Sequence, residues 1–200
     1  MGKTTLCKKL VGSKELHDLG YIYKHFSRLP ENFGYYWGYL EHMAPRSVQD
    51  RYHMSEIAYA YARGEQQSPL SPLCYRMVDG YLRTIGAFTV VITADHRLLE
   101  SRYDKKRHDD EMYDKEKVLL ANSVFFEMAE SKSFTYLSDA MRNYEVDVDA
   151  HIHLTEEKPW PSDQDLRNVL NAYLRRHREW SSEMSRRTIQ FGRPSLQPFA

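Results

Sequence analysis

Asp50-Arg51-Tyr52-His53-Met54-Ser55-Glu56-Ile57-Ala58-Tyr59 is the stretch that decides the reading of this chain. It follows Ser47 to Asp50, which reads as the end of a strand, and it opens a helix predicted over His53 to Gly64. Asp50 at a strand's C-terminal edge can hold metal-bound water or orient an acceptor. Arg51 beside it offers a planar fork that suits a phosphate. Ser55 and Tyr59 are four residues apart and share one helix face. A structural reading stands beside this one: an Asp–Arg ion pair capping a helix, with the tyrosines in the core.

Working outward, helices and short apolar strands alternate. Upstream, Thr4 to Val11 reads as helix, weakened at Gly12-Ser13. Tyr21 to Phe26 reads as a strand, and Glu31 to Met43 as an aromatic-rich helix ended by Pro45. Downstream, Leu73 to Ile85 is helical beyond the Ser68-Pro69 and Ser71-Pro72 turns. Phe88 to Thr93 is the clearest buried strand, a β-branched run after Gly86. His96 to Tyr103 and Lys115 to Ser131 are helices, the second with Val118, Leu119, Phe125, Phe126 and Met128 on its apolar side. His151 to Leu154 is a late strand. Ser162 caps a helix running to about His177, and residues 181–200 read as a C-terminal tail after a domain over 1–180. This alternation predicts an α/β fold with a mainly parallel sheet.

Composition narrows the function classes. Lys plus Arg number 28 and Asp plus Glu number 28, so net charge gives no argument for a nucleic-acid partner. No stretch approaches the roughly 18 apolar residues of a membrane span. Cys7 and Cys74 form neither a metal pattern nor a disulfide framework. His151-x-His153 lies in a predicted strand and reads as structural. With no signal peptide ahead of the first helix, a cytoplasmic setting is expected.

The N-terminus carries a second chemical signal. Gly2-Lys3-Thr4 matches the last three positions of the phosphate-binding pattern G-x-x-x-x-G-K-[ST], and a helix follows as that pattern requires. Read so, Gly2, Lys3, Thr4 and Thr5 bind the nucleotide donor. Lys3 is then the phosphate-bridging lysine and Thr4 the magnesium-binding hydroxyl. The first glycine, its loop and the preceding strand are absent from this sequence. The expectation is a coding start that lies upstream, with a damaged kinase as the alternative.

With both signals in place, residues 50–59 resemble the thymidylate kinase signature D-R-[YF]-x-x-S-x-x-A-[YF], with all six fixed positions present. Arg28-Leu29-Pro30 resembles the R-x-P segment that follows the second strand of that family, although Glu31 stands where a Gly is usual. Arg102 to Tyr113 falls where these kinases carry their lid, which makes Arg102, Lys105, Lys106 and Arg107 candidates for closing over the transferring phosphoryl group. Asp110-Glu111-Met112-Tyr113-Asp114, together with His25-Phe26-Ser27, looks more like phage-encoded members of that family than cellular ones. The resemblance implies a P-loop kinase three-layer sandwich whose mainly parallel sheet lacks its first strand here, ATP with Mg²⁺ as donor, and in many members a homodimer.

The implied activity is phosphoryl transfer from ATP to a deoxynucleoside monophosphate, dTMP or a modified pyrimidine deoxynucleotide. In that reading Lys3, Asp50, Arg51, Lys106 and Arg107 are catalytic. Arg28, Arg51, Ser55 and Tyr59 bind the acceptor, and Thr4 and Asp50 hold the metal. Two alternatives remain open: a kinase acting on a hydroxymethylated base in DNA, with Asp50 as general base, and a nucleotide-binding pseudokinase. Tyr35, Tyr36, Trp37 and Tyr75 are candidates for stacking on a base, but each reads more readily as core.

Overall fold

The computed structural model describes residues 3–25, 38–39, 44, 46–50, 52–66, 68–103, 114–136 and 143–191, with side chains up to residue 186. It is a mixed α/β fold. In chain order the elements are α1 (Lys3–Val11), α2 (Lys14–Asp18), β1 (Ile22–His25), β2 (Ser47–Asp50), α3 (Met54–Ala62), α4 (Pro72–Thr84), β3 (Val90–Ala94), α5 (His96–Ser101), α6 (Lys115–Ser131), β4 (Ser133–Thr135), β5 (Asn143–Glu145), β6 (Ala150–Leu154) and α7 (Asp163–Phe191). The predicted helix over Glu31 to Met43 and the charged segment after Arg102 lie largely outside the described residues. Among the described residues no helix is long and apolar enough to cross a membrane.

Two of the three ladders among the described residues are parallel, as expected of a mainly parallel sheet. β1 runs beside β2 with Ile22 opposite Ser47 and His25 opposite Asp50. β3 runs beside β6 with Val90 opposite Ala150 and Thr93 opposite His153. β4 and β5 form a separate antiparallel ladder. Among the described residues the three ladders are not joined to one another.

Alternation along β3 and β6 sets the layers. Val90, Ile92 and Ala94, with Ala150, Ile152 and Leu154, enter a core shared with Leu6 and Leu10 of α1 and Leu170 of α7. Val91 points to the opposite face, into a core built from α3, α4, α6 and the β4–β5 ladder. Thr93, His151 and His153 share that second face by the two-residue period of a strand. β3 therefore separates two apolar layers, as expected for a strand covered on both faces.

Local chemistry explains where elements start. The Ser71 hydroxyl accepts from Cys74 N at 3.2 Å, and Pro72 occupies the first turn of α4, where a missing N–H costs nothing. Asp114 caps α6 by accepting from Glu116 N. Ser162 and Asp165 close a reciprocal cap on α7: Asp165 N donates to Ser162 Oγ at 3.2 Å, and Ser162 N donates to Asp165 Oδ2 at 2.8 Å.

Three features depart from the sequence expectation. A short helix, α2, occupies the weakened stretch after Gly12-Ser13, capped by Ser13. The β4–β5 ladder appears where no strand was expected. And α7 does not stop near His177 but continues to Phe191, so the stretch read as a tail begins as helix. An anchor explains the extension: Trp180 Nε1 donates to Thr84 O at 3.0 Å, and its ring lies over Gly86.

Candidate active site

The first turn of α1 meets the end of β2. Leu6, Cys7 and Leu10 are buried on one side of α1, which seats the helix. Lys3, Thr4 and Thr5 form its first turn, with Thr4 and Thr5 exposed, at a helix N-terminus with no acidic residue in that turn. The backbone N–H groups there have no intrahelical acceptor, and the helix dipole favours an anion. Thr4 Oγ1 donates to Asp50 Oδ2 at 2.5 Å, across 46 residues of sequence.

Asp50 closes β2 and is nearly inaccessible, at 3% exposure. Its second oxygen, Oδ1, is buried and has no hydrogen-bond partner among the described residues. The parallel register sets His25 against it, with Nδ1 3.8 Å from Asp50 Oδ2. Cys7 stands one turn along α1 from Thr4. Burial, and then the charge of Asp50, push its thiol up to about 12, opposed in part by Lys3. The cluster thus holds one cation at the helix start, a hydroxyl and a carboxylate that share a hydrogen bond, and one unsatisfied carboxylate oxygen. Hydroxyl and carboxylate oxygens are the hard donors that magnesium takes, so Thr4 and Asp50 fit the metal the sequence assigned to them.

The remaining sequence candidates divide. Gly2, Arg28, Arg51, Lys105, Lys106 and Arg107 lie outside the described residues, as do Tyr35, Tyr36 and Trp37. Thr5 is exposed in the first turn of α1. Ser55 is buried in α3, while the Tyr59 ring stands edge-on to Phe125 of α6 at 5.9 Å. Arg102 lies flat against Trp160, 4.0 Å from the ring centroid, which is a cation–π contact. Tyr75 is wholly buried, as its core reading requires.

The middle of the Asp50 to Tyr59 stretch has a role that the sequence did not reveal. His53 is 2% exposed. It packs against Tyr75 with centroids 4.6 Å apart, and against Tyr39 and Tyr52 edge-on. Its Nε2 lies 3.3 Å from Asp79 Oδ1. A carboxylate only accepts, so this nitrogen carries the proton, and the buried Nδ1 has no partner among the described residues. Arg83 Nε donates to Asp79 Oδ2 at 3.1 Å, and Arg83 also pairs with Asp147. Burial lowers the His53 pKa, against the pull of Asp79. For Asp79, burial raises the pKa, but its bonds to His53 and Arg83 win and hold it below the ordinary value. Arg83 already supplies the positive charge that Asp79 needs, so His53 is neutral. This chain of side chains ties the start of α3 to α4.

His25, Cys7 and His53 were all missed by sequence reasoning. The signal for His25 was available: two adjacent parallel strands bring their C-terminal residues together, so the last residue of β1 falls beside the last of β2. Nothing in the local pattern marked Cys7 or His53.

Among the described residues, no group of three or more His, Cys, Asp or Glu side chains is arranged to hold a metal ion. Comparison with protein-family models, with curated proteins and with solved structures returns no match.

Proposed function

We propose that this chain is a thymidylate-kinase-like phosphotransferase that moves a phosphoryl group from ATP to a deoxynucleoside monophosphate, dTMP or a modified pyrimidine analogue. The observation that carries the reading is the Thr4–Asp50 hydrogen bond. Two motifs recognised independently, at residues 2–4 and 50–59, supply one residue each to the same contact.

In this reading Lys3 and the free N–H groups of α1 receive the donor phosphates. Thr4 and Asp50 hold the magnesium, which neutralises charge on the transferring group when bound. The buried Asp50 Oδ1, which has no partner among the described residues, suits that role. Arg51 and Arg28 bind the acceptor phosphate, and Lys106 and Arg107 close over the reacting oxygens. An acceptor phosphate is already ionised at neutral pH, so positioning and charge neutralisation suffice and no general base is needed.

The test is ATP-dependent transfer to a panel of the four deoxynucleoside monophosphates, hydroxymethyl-dUMP and an oligonucleotide containing hydroxymethyluracil. Transfer to one of the monophosphates is expected. Asp50→Asn and Arg51→Ala should each reduce it by about 10²-fold or more. Transfer to the oligonucleotide alone would move the chain to the DNA-base kinases and make Asp50 a base. ATP binding without any transfer would leave a pseudokinase and refute the proposal.

A further inference from the structure

Away from Thr4 and Asp50, five side chains form an unbroken polar line across the α6 face of the β3–β6 ladder. His151 Nε2 and His153 Nδ1 both contact one atom, Thr93 Oγ1, at 2.7 and 2.8 Å. The far nitrogen of each ring is held by a carboxylate. His151 Nδ1 lies 2.8 Å from Glu130 Oε1 of α6, and His153 Nε2 lies 2.9 Å from Asp95 Oδ1 at the end of β3. Phe126 stands edge-on to both rings, at 5.6 and 5.3 Å. The sequence placed Phe126 on the apolar side of its helix, but it is 41% exposed and shields this pair instead.

Proton counting shows what is unusual. Ionised carboxylates only accept, so Glu130 and Asp95 each take the N–H of their imidazole. In a neutral ring, the nitrogen facing Thr93 is then a bare lone pair. Two such lone pairs converge on a hydroxyl that has one hydrogen to give. One of the two contacts is left without a proton, in a site where Thr93 is 2% exposed and an unmade hydrogen bond is costly.

We propose that His151 Nε2 and His153 Nδ1 bind a divalent transition metal of the zinc, nickel or copper class, with Thr93 Oγ1 and solvent completing its shell. A metal ion takes both lone pairs at once. Imidazole nitrogens suit these ions and not magnesium, so the site is separate from the nucleotide's metal. Strand geometry supplies the chelate, since residues two apart project from one face. Glu130 and Asp95 supply the outer shell found behind ligating histidines: each fixes a ring's tautomer and orientation through its far nitrogen. Ligands around a tetrahedral zinc at about 2.0–2.1 Å stand roughly 3.3 Å apart. The present contacts therefore open by about half an ångström, which rotation of Thr93 and the two rings provides. The pair has no third histidine or carboxylate among its direct ligands, so beyond Thr93 Oγ1 one tetrahedral position remains open to water or an external group.

The experiment uses the full chain, stripped with chelator and titrated with zinc alone, without nucleotide. One equivalent is expected to bind, and its loss is expected in the His151→Gln, His153→Gln double variant. Copper added in place of zinc should give an electron paramagnetic resonance spectrum split by two imidazole nitrogens. Glu130 is 58% exposed in its ion pair, so Glu130→Gln leaves the fold intact and should weaken zinc about 10- to 100-fold. Absence of zinc uptake by the unaltered chain would overturn the proposal and leave a proton shared within the line. Unchanged affinity in Glu130→Gln, or uptake that survives in the double variant, would overturn it equally.

Discussion

Acidification should destabilise this protein in a window set by His53. The ring is 2% exposed, stacked on Tyr75, and burial lowers its pKa from the ordinary 6.5. The unfolded chain therefore takes up a proton on His53 near pH 6.5, while the folded chain takes it up only at lower pH. A group whose folded pKa is lowered in this way favours the unfolded state as pH falls below the unfolded value, because the unfolded state binds more protons there. With the folded ring neutral throughout, the loss at pH 5.5 is RT ln 11, or about 1.4 kcal/mol, and it grows by about 1.4 kcal/mol for each further unit until the folded ring protonates. Asp79 works in a lower window: its pKa is held below the ordinary 3.8, so its contribution is present above that value and is lost only as pH falls below it. His53→Gln isolates the effect, since a glutamine amide can donate to Asp79 and does not titrate. Urea midpoints for both chains between pH 7.5 and 5.0 are the measurement, and the difference of the two curves cancels the other histidines. The unaltered chain should lose about 1.4 kcal/mol more than the variant by pH 5.5. Parallel curves, or a variant that is the more acid-sensitive of the two, would show His53 to be charged against Asp79 in the fold and would refute the argument.

Two further outcomes follow from single contacts. Gly86 has φ +76°, and a Cβ there would lie 3.0 Å from the Trp180 ring; Gly86→Ala should cost about 1–3 kcal/mol in chemical denaturation and shift tryptophan fluorescence as the ring is displaced. Cys7 is buried with its thiol pushed up to about 12, so at pH 8 a disulfide reagent should titrate only Cys74 in the native protein and reach Cys7 only after denaturation; rapid reaction of both thiols would contradict the burial.

Sequence periodicity located the elements that bury an apolar face. The helix over Lys115 to Ser131 was legible to the residue, because its charged start follows an aspartate cap and its apolar positions recur through the whole length. Val90 to Ala94 was legible as a β-branched run, with its start displaced by two residues. The hairpin of β4 and β5 was not, because each strand is three residues long with one apolar residue, too short for a period to register. The continuation of α7 was not legible either. Ser181-Ser182-Glu183 carries no apolar stripe, and what holds the helix there is a tertiary contact, Trp180 on Thr84 and Gly86. The candidate site shows the same division. Thr4 and Asp50 were each identified from local spacing, but their meeting across 46 residues, and the arrival of His25 beside them, are products of strand register that no local window contains.

The division of the parallel strands into two ladders has a consequence for how this molecule behaves in a crowded solution. A strand hydrogen-bonded on one side only presents a row of donors and acceptors on the other, and such a row is a template for another chain. Along β1, Lys24 and the exposed His25 interrupt that invitation. Along β3, Val90-Val91-Ile92-Thr93 contains no charge and no proline, the composition that pairs most readily with copies of itself. The apolar layers on its two faces cover its side chains and hold it in the ladder with β6. Any event that loosens α1 or α6 from the ladder uncovers an adhesive segment, so the packing that shapes the site also keeps the protein dispersed.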